Sequence, residues 1–273
     1  MHSAIGFIKC SILMLQQAIA YLHYLVKAKT RYYIHSPFVY ELCEDVLYDA
    51  RYFYAYDDIA AVRKAYLRQH NFLPLTDFGA GARQSGVQTQ MRISDLVKRV
   101  AVPEAQGELL FRLVNYFEPS YILELGTSLG ISTMYMSCAR RQSIIHTIEG
   151  SASVAMTARL MFDKLDLSNV HVHIGEFSEL LPTVLAKMPQ IDMALLDGNH
   201  RYEPTVAYFE QMLPLLHNNS VVVVDDIRWS SDMTKAWQYI KAHPRVRITL
   251  DFFRFGLVFF RAEQAKEDFM LYF

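Results

Sequence analysis

Acids occupy the positions where chemistry is most easily placed. Leu195-Leu196-Asp197-Gly198-Asn199-His200 puts a carboxylate and an imidazole directly after an apolar run, and Val221–Val224 is followed at once by Asp225-Asp226. If the two runs are neighbouring strands, Asp197, Asp225 and Asp226 meet at one point. Three carboxylates there repel unless a hard cation neutralises them, and magnesium is the economical choice. A metal so held would bind a hydroxyl and lower its pKa. The same acids have a structural reading: Asp225 and Asp226 as caps of a helix beginning near Ser230, and Asp197 as a cofactor contact or the residue that orders the Gly198 turn before Pro204. His200 suits a general base, since an imidazole titrates near neutrality, and it suits a plain hydrogen-bonding or capping role equally.

A second constellation lies upstream. Tyr121–Ser132, YILELGTSLGIS, reads as a buried strand, a glycine turn and a helix start. Gly126 and Gly130 allow a tight turn and close approach of a ligand, Ser128 and Ser132 offer hydroxyls, and Glu124 stands just before the turn. About twenty residues on, a short apolar run ends in Glu149, where a carboxylate can accept from both hydroxyls of a ribose. The turn lacks the G-x-G-x-x-G cradle for a pyrophosphate and the Gly-Lys-Ser/Thr ending of a Walker loop. An acid-x-Gly turn without a phosphate cradle suits S-adenosylmethionine.

On these residues the chain resembles the class I S-adenosylmethionine-dependent methyltransferases. Glu124-Leu125-Gly126 through Gly130 looks like their first motif and Glu149 like their ribose-binding acid. The acids at 197, 225 and 226 are similar to the metal ligands of the metal-dependent O-methyltransferases, of catechol and macrocin types. The resemblance implies S-adenosylmethionine as cofactor, magnesium as an assisting ion, a small hydroxylated acceptor, and Glu176 as a contact to the adenine amino group. Glu176 reads equally as a first-turn acid favoured by a helix dipole. The macrocin-type pattern often carries an acid where this chain has Asn199, which leaves the base open.

The elements that must position these groups follow from periodicity. Up to about residue 118 the pattern is helical, near 4–29, 37–49, 57–69, 94–101 and 104–117, with loops at His35-Ser36-Pro37 and Pro74–Arg92. From Tyr121 apolar runs at 121–125, 144–148, 170–174, 191–196 and 220–224 alternate with helical stretches. That alternation predicts an α/β fold, a Rossmann-like, doubly wound, mostly parallel sheet. Val246–Leu250 and Gly256–Phe260 supply a terminal antiparallel hairpin and bring the sheet to seven strands, as the resemblance implies. The expected division is a helical extension over 1–118 and a cofactor-binding domain over 119–273. Thr76–Gly86 also holds an acid-x-Gly-x-Gly turn, but its flanks are not strand-like; Gly79–Arg92 reads as a lid or as a plain surface connection. Tyr48, Tyr52, Phe53, Tyr54 and Tyr56 read as pocket lining or as core.

Bulk properties narrow the function classes. The 273 residues are 52% hydrophobic and 20% charged with a net charge of -1, so the chain is globular and carries no overall basic footprint for nucleic acid. The Asn/Asp-Pro-Pro-aromatic turn of nucleic-acid amino-methyltransferases is missing after Leu196. Cys10, Cys43 and Cys138 lack metal or redox spacing and point to free thiols in a reducing compartment, the cytoplasm. Ala4–Val26 is apolar but interrupted by Lys9, Gln16, Gln17 and His23; a buried or partner-facing helix is expected, with peripheral membrane contact as the alternative. A binding module without turnover, a macromolecular acceptor and a homodimer stay open.

Overall fold

The computed structural model describes residues 17–77 and 87–273. Eight strands make one sheet: β3 (Tyr121–Leu125), β4 (Ile144–Glu149), β5 (Val170–Ile174), β6 (Ile191–Leu196), β7 (Leu216–Val224), β8 (Ile248–Asp251), β9 (Gly256–Phe259) and β10 (Glu267–Met270). Their order is β10-β8-β9-β7-β6-β3-β4-β5, and β9 runs antiparallel to both of its neighbours while the other pairings are parallel. The doubly wound sheet with its terminal hairpin is therefore present. The eighth strand, β10, was not expected: four residues with two leading acids carry no strand signal, and pairing with β8 supplies the order.

The central strands show why the pattern was legible. Val221 and Val223 pack with Ile122 and Met193 on one face, while Val222 and Val224 pack with Leu123, Leu125 and Leu196 on the other. A stretch of strand buried on both faces is expected to be apolar throughout, as Val221–Val224 is; Glu124 in β3 is the buried exception. Helices α8 (Phe177–Leu185), α9 (Tyr202–Met212) and α10 (Ser231–Ala242) cover the second face through Leu181, Phe209 and Trp237. The first face is covered by α2 (Pro37–Leu42), which continues as a π-helical turn over Cys43–Leu47, and by α5 (Glu104–Phe117).

A third cluster joins α3 (Ala55–Leu67), α4 (Ile93–Val100), α6 (Ile131–Ala139) and α7 (Ala152–Lys164) around Tyr56, Tyr66, Phe111, Tyr135 and Phe162. Tyr56 is core here, Phe53 packs against it, and Tyr48, Tyr52 and Tyr54 are exposed. Helix α1 is described over 17–27; residues 4–16 of the expected N-terminal helix lie outside the described residues.

The expected loop at Pro74–Arg92 is different. Phe72–Asp77 (β1) and Val87–Arg92 (β2) form an antiparallel ribbon, and the remainder of the lid segment, 79–86, lies outside the described residues. Proline is tolerated in a two-stranded ribbon because every strand is an edge. Leu73, Leu75 and Met91 pack onto the third cluster, and Ser151 and Ser153 at the start of α7 hydrogen-bond to Thr76 N–H and the Pro74 carbonyl. Short, polar strands of this kind are specified by what they lie on.

Candidate active site

A cavity of about 450 Å³ opens at the carboxyl ends of β3, β4, β6 and β7, roofed by β1, β2 and α4. Its position is the one expected of an open α/β sheet, in the crevice where the strand order reverses. Gly126 and Ser128 from the β3–α6 turn line it, with Glu149 from β4, Glu176 before α8, Asp197, Asn199 and His200 after β6, and Asp225 and Asp226 after β7.

The glycine turn is built by close approach. Gly126 has φ +105°, and its N–H donates to the Ile148 carbonyl at 3.0 Å. A Cβ added there would sit 1.9 Å from the Asp197 carbonyl oxygen, so the turn and the end of β6 touch backbone to backbone. Glu149 locks the arrangement: its carboxylate accepts from Ser128 N–H and Ser151 N–H, each at 2.8 Å. Burial pushes its pKa up, against the pull of these backbone donors. A carboxylate has about four lone-pair sites, so acceptor capacity remains for a ribose diol.

Glu124, Gly130 and Ser132 serve the turn from behind and do not line this cavity. Glu124 is fully buried and accepts from Ser132 Oγ, Thr133 Oγ1 and Thr147 Oγ1 at 2.5, 2.5 and 2.7 Å. Burial raises its pKa to about 7, the three hydroxyls pull it down, and nearby Glu149 pushes it up. Gly130, at φ +78°, stands against the Phe162 ring, which a Cβ would strike. The pleat of β3 directs the Glu124 side chain to these three hydroxyls behind the turn.

The acids do converge. Asp197 is held with its carboxyl well above the usual range, first by burial and then by Asp225, Asp226 and Glu124. Asp225 is raised by burial and by Asp226. The helix-cap alternative for the pair is removed, because Ser230 itself caps α10 by accepting from Met233 N–H at 3.1 Å. His200 Nε2 faces Asp197 Oδ1 at 3.8 Å and Asp226 Oδ2 at 3.9 Å, and its ring lies 5.8 Å from that of Trp229. Arg254, from the turn before β9, approaches Asp226 at 3.6 Å.

Three oxygen-rich acids in mutual repulsion match the donor chemistry of a hard divalent cation. Buried Asn199 Oδ1 and His200 Nδ1, both without a hydrogen-bond partner, show polar capacity still unused beside them. Among the described residues, however, no three His, Cys, Asp or Glu side chains are gathered tightly enough to hold a metal. The site thus has the right groups, and their side chains are not closed around a point.

A family model described as a methyltransferase domain matches residues 123–227, from β3 to the loop after β7, the segment that holds the glycine turn, Glu149 and the three acids. Over this segment the chain is similar to methyltransferases. The chain is 31% identical to a catechol O-methyltransferase of Mycobacterium tuberculosis over 131 residues, covering 47% of this chain and 58% of that protein. It is 28% identical to a catechol O-methyltransferase of Niastella koreensis, with the same two shares. The chain thus spans under two thirds of the length of these relatives. Among solved structures, cofactor-bound Rv0187 from MTB is 27% identical, superposes with a TM-score of 0.53, and is matched over 60% of this chain and 83% of its own. An O-methyltransferase from Bacillus cereus, 21% identical, covers 81% of this chain and 96% of its own with a TM-score of 0.55, which shows the shared fold.

Residues not singled out from sequence as functional complete the cavity. Arg99 and Leu96 come from α4, Phe177 and Tyr208 from α8 and α9, and Trp229 and Arg254 from the loops on the acid side. Tyr208 takes a hydrogen bond from Asn199 Nδ2 at 3.1 Å, and Phe177 packs on Gly198. Trp229 had a signal available, as one of two tryptophans and three residues past the acid pair. Arg254 had none, since its place depends on the β8–β9 turn folding back.

Proposed function

We propose that this chain transfers a methyl group from S-adenosylmethionine to a hydroxyl of a small molecule. The observation that carries the reading is the backbone contact of Gly126 with Asp197, which makes the glycine turn and the acid cluster two walls of one cavity. On this reading the adenosine lies along Ser128, Glu149 and Glu176, and the acceptor enters beside Asp197, Asp225, Asp226, His200 and Trp229. Cofactor-bound and catechol-methylating relatives support it.

The protein has little covalent work to do. Bringing hydroxyl and sulfonium together on adjoining walls turns a bimolecular encounter into a bound one, a contribution of roughly 7–11 kcal/mol when the geometry is near attack. The acceptor's proton goes to His200 Nε2, where it arrives between Asp197 and Asp226, and the resulting imidazolium is stabilised by both. The roof of β1, β2 and α4 lies over the cavity, where it would limit the access of water to the sulfonium. Asp197, Asp225 and Asp226 would hold magnesium; when bound, such an ion would polarise the acceptor hydroxyl and lower its pKa. A reducing, cytoplasmic setting agrees with unpaired Cys43 and Cys138.

Titration calorimetry with S-adenosylmethionine and its demethylated product, followed by turnover on a panel of small phenols, catechols and sugars with and without magnesium, tests the reading. Binding of both and methylation of at least one hydroxyl are expected. Binding without turnover on any acceptor class would leave a cofactor-binding module, and absence of binding would end the proposal.

A further inference from the structure

Helix α1 is apolar on two opposite sides. Its inward stripe is engaged: Gln17 Nε2 donates to the Trp229 carbonyl at 3.2 Å, Tyr21 meets Phe253 with ring centroids 4.9 Å apart, and the buried Tyr24 hydroxyl donates to the Leu271 carbonyl. The chain after α1 then bridges to Leu271 beyond β10, which fixes the helix on the body. Its outward stripe, Ile19, Leu22 and Val26, is 58, 62 and 86% exposed. The spacing i, i+3, i+7 places these three side chains on one face. Single exposed apolar side chains are ordinary, whereas an aligned stripe marks a contact surface.

Charge identifies what covers it. The first forty residues hold Lys9, Lys27, Lys29 and Arg31 and no carboxylate, the first acid being Glu41, although the whole chain carries 28 acids against 27 basic residues. Lys27 and Lys29 follow the stripe and are exposed, and exposed Tyr32 and Tyr33 follow them. An apolar helix face bordered by cations and amphipathic tyrosines matches a bilayer interface with anionic headgroups. A second copy of the same helix would bring Lys27 and Lys29 against like charges, and an acid close to this segment, Glu44, is already engaged by Arg31 at 3.0 Å. Among the described residues no helix is long and apolar enough to cross a membrane.

We propose that α1 is a docking helix for an anionic lipid surface, with Ile19, Leu22 and Val26 entering the headgroup boundary and Lys27 and Lys29 meeting phosphates. Because Gln17 and Tyr21 brace the loops that carry Trp229 and Arg254, the docked surface adjoins the acid side of the cavity. The proposal is independent of the transferase reading.

Flotation of the full chain with phosphatidylcholine vesicles, and with vesicles containing about one third phosphatidylglycerol, tests it. Partition onto the anionic vesicles is expected, weakening as salt is added. Lys27→Gln and Lys29→Gln should each reduce it about five-fold, the factor for roughly 1 kcal/mol per cation near an anionic surface. Leu22→Glu with Val26→Glu should abolish partition while melting temperature and cofactor-product affinity stay unchanged; if that variant does not fold, the paired lysine variant carries the test. Equal binding to neutral and anionic vesicles, or none to either, would overturn the proposal. So would light scattering in which Leu22→Glu with Val26→Glu converts a dimer to a monomer and the wild type ignores vesicles, since the stripe would then be an interface between copies.

Discussion

Glu124→Gln should flatten part of the pH dependence of stability, and the size of the effect follows from the carboxyl's burial. In the folded chain its pKa rises from the usual 4.5 to about 7. An acid with a raised folded pKa keeps its proton when the unfolded chain has already lost it. Between those values the unfolded state binds fewer protons, so stability falls as pH rises and levels off above the folded pKa. Integrated from pH 5 to pH 8, this group alone removes about 2.5 kcal/mol of stability. Glutamine keeps the shape, accepts from some of the three hydroxyls and donates to the others, and has no charge to desolvate. Urea unfolding of wild type and Glu124→Gln at pH 5 and pH 8 measures the difference of differences, which cancels the other titrating groups to first order. The variant should gain on wild type by roughly 2–3 kcal/mol between the two pH values. Parallel behaviour within about 0.5 kcal/mol would show that the carboxyl is solvated or otherwise neutralised, and would refute the burial argument.

Three further outcomes test the site. Gly126→Ala forces a Cβ onto the Asp197 carbonyl from a positive φ, so cofactor-product affinity measured by calorimetry should fall more than a hundred-fold, and an affinity within a few-fold of wild type would mean that the two walls are not in contact. Glu149→Ala removes the acceptor of Ser128 and Ser151 N–H as well as the proposed ribose contact, and should weaken cofactor binding about ten- to a hundred-fold, the worth of a charge-assisted hydrogen bond of roughly 1.5–3 kcal/mol. Asp225→Asn and a chelator should each abolish turnover while leaving cofactor affinity nearly intact; metal-free enzyme that still turns over would discard the magnesium and leave His200 as the working base.

The segment from β3 to β7 was legible because its physics is local. β3, β6 and β7 are buried on both faces towards their carboxyl ends, so their apolar runs, broken in β3 only by Glu124, stand out and end on Leu125, Leu196 and Val224, each followed by a turn or an acid. Once the strands are known to be parallel neighbours, Asp197 and Asp225 must share an edge, and the sequence alone carries that much. It also carries Gly126 and Glu149, whose spacing is set by one strand–turn–helix–strand unit. What it does not carry is the direction in which a side chain leaves the backbone. Glu124 belongs to the motif, yet the pleat of β3 turns it inward to Ser132, Thr133 and Thr147. Nor does it carry elements whose order comes from their neighbours. β1, β2 and β10 are short and partly polar, and they become strands because α7 and β8 present surfaces and partners for them. Arg254 reaches the cavity only through a turn folded back from a later part of the chain. Periodicity records burial, which each residue expresses for itself; the walls of a cavity are made by pairs of residues far apart in sequence, and only the closed tertiary structure decides which pairs meet.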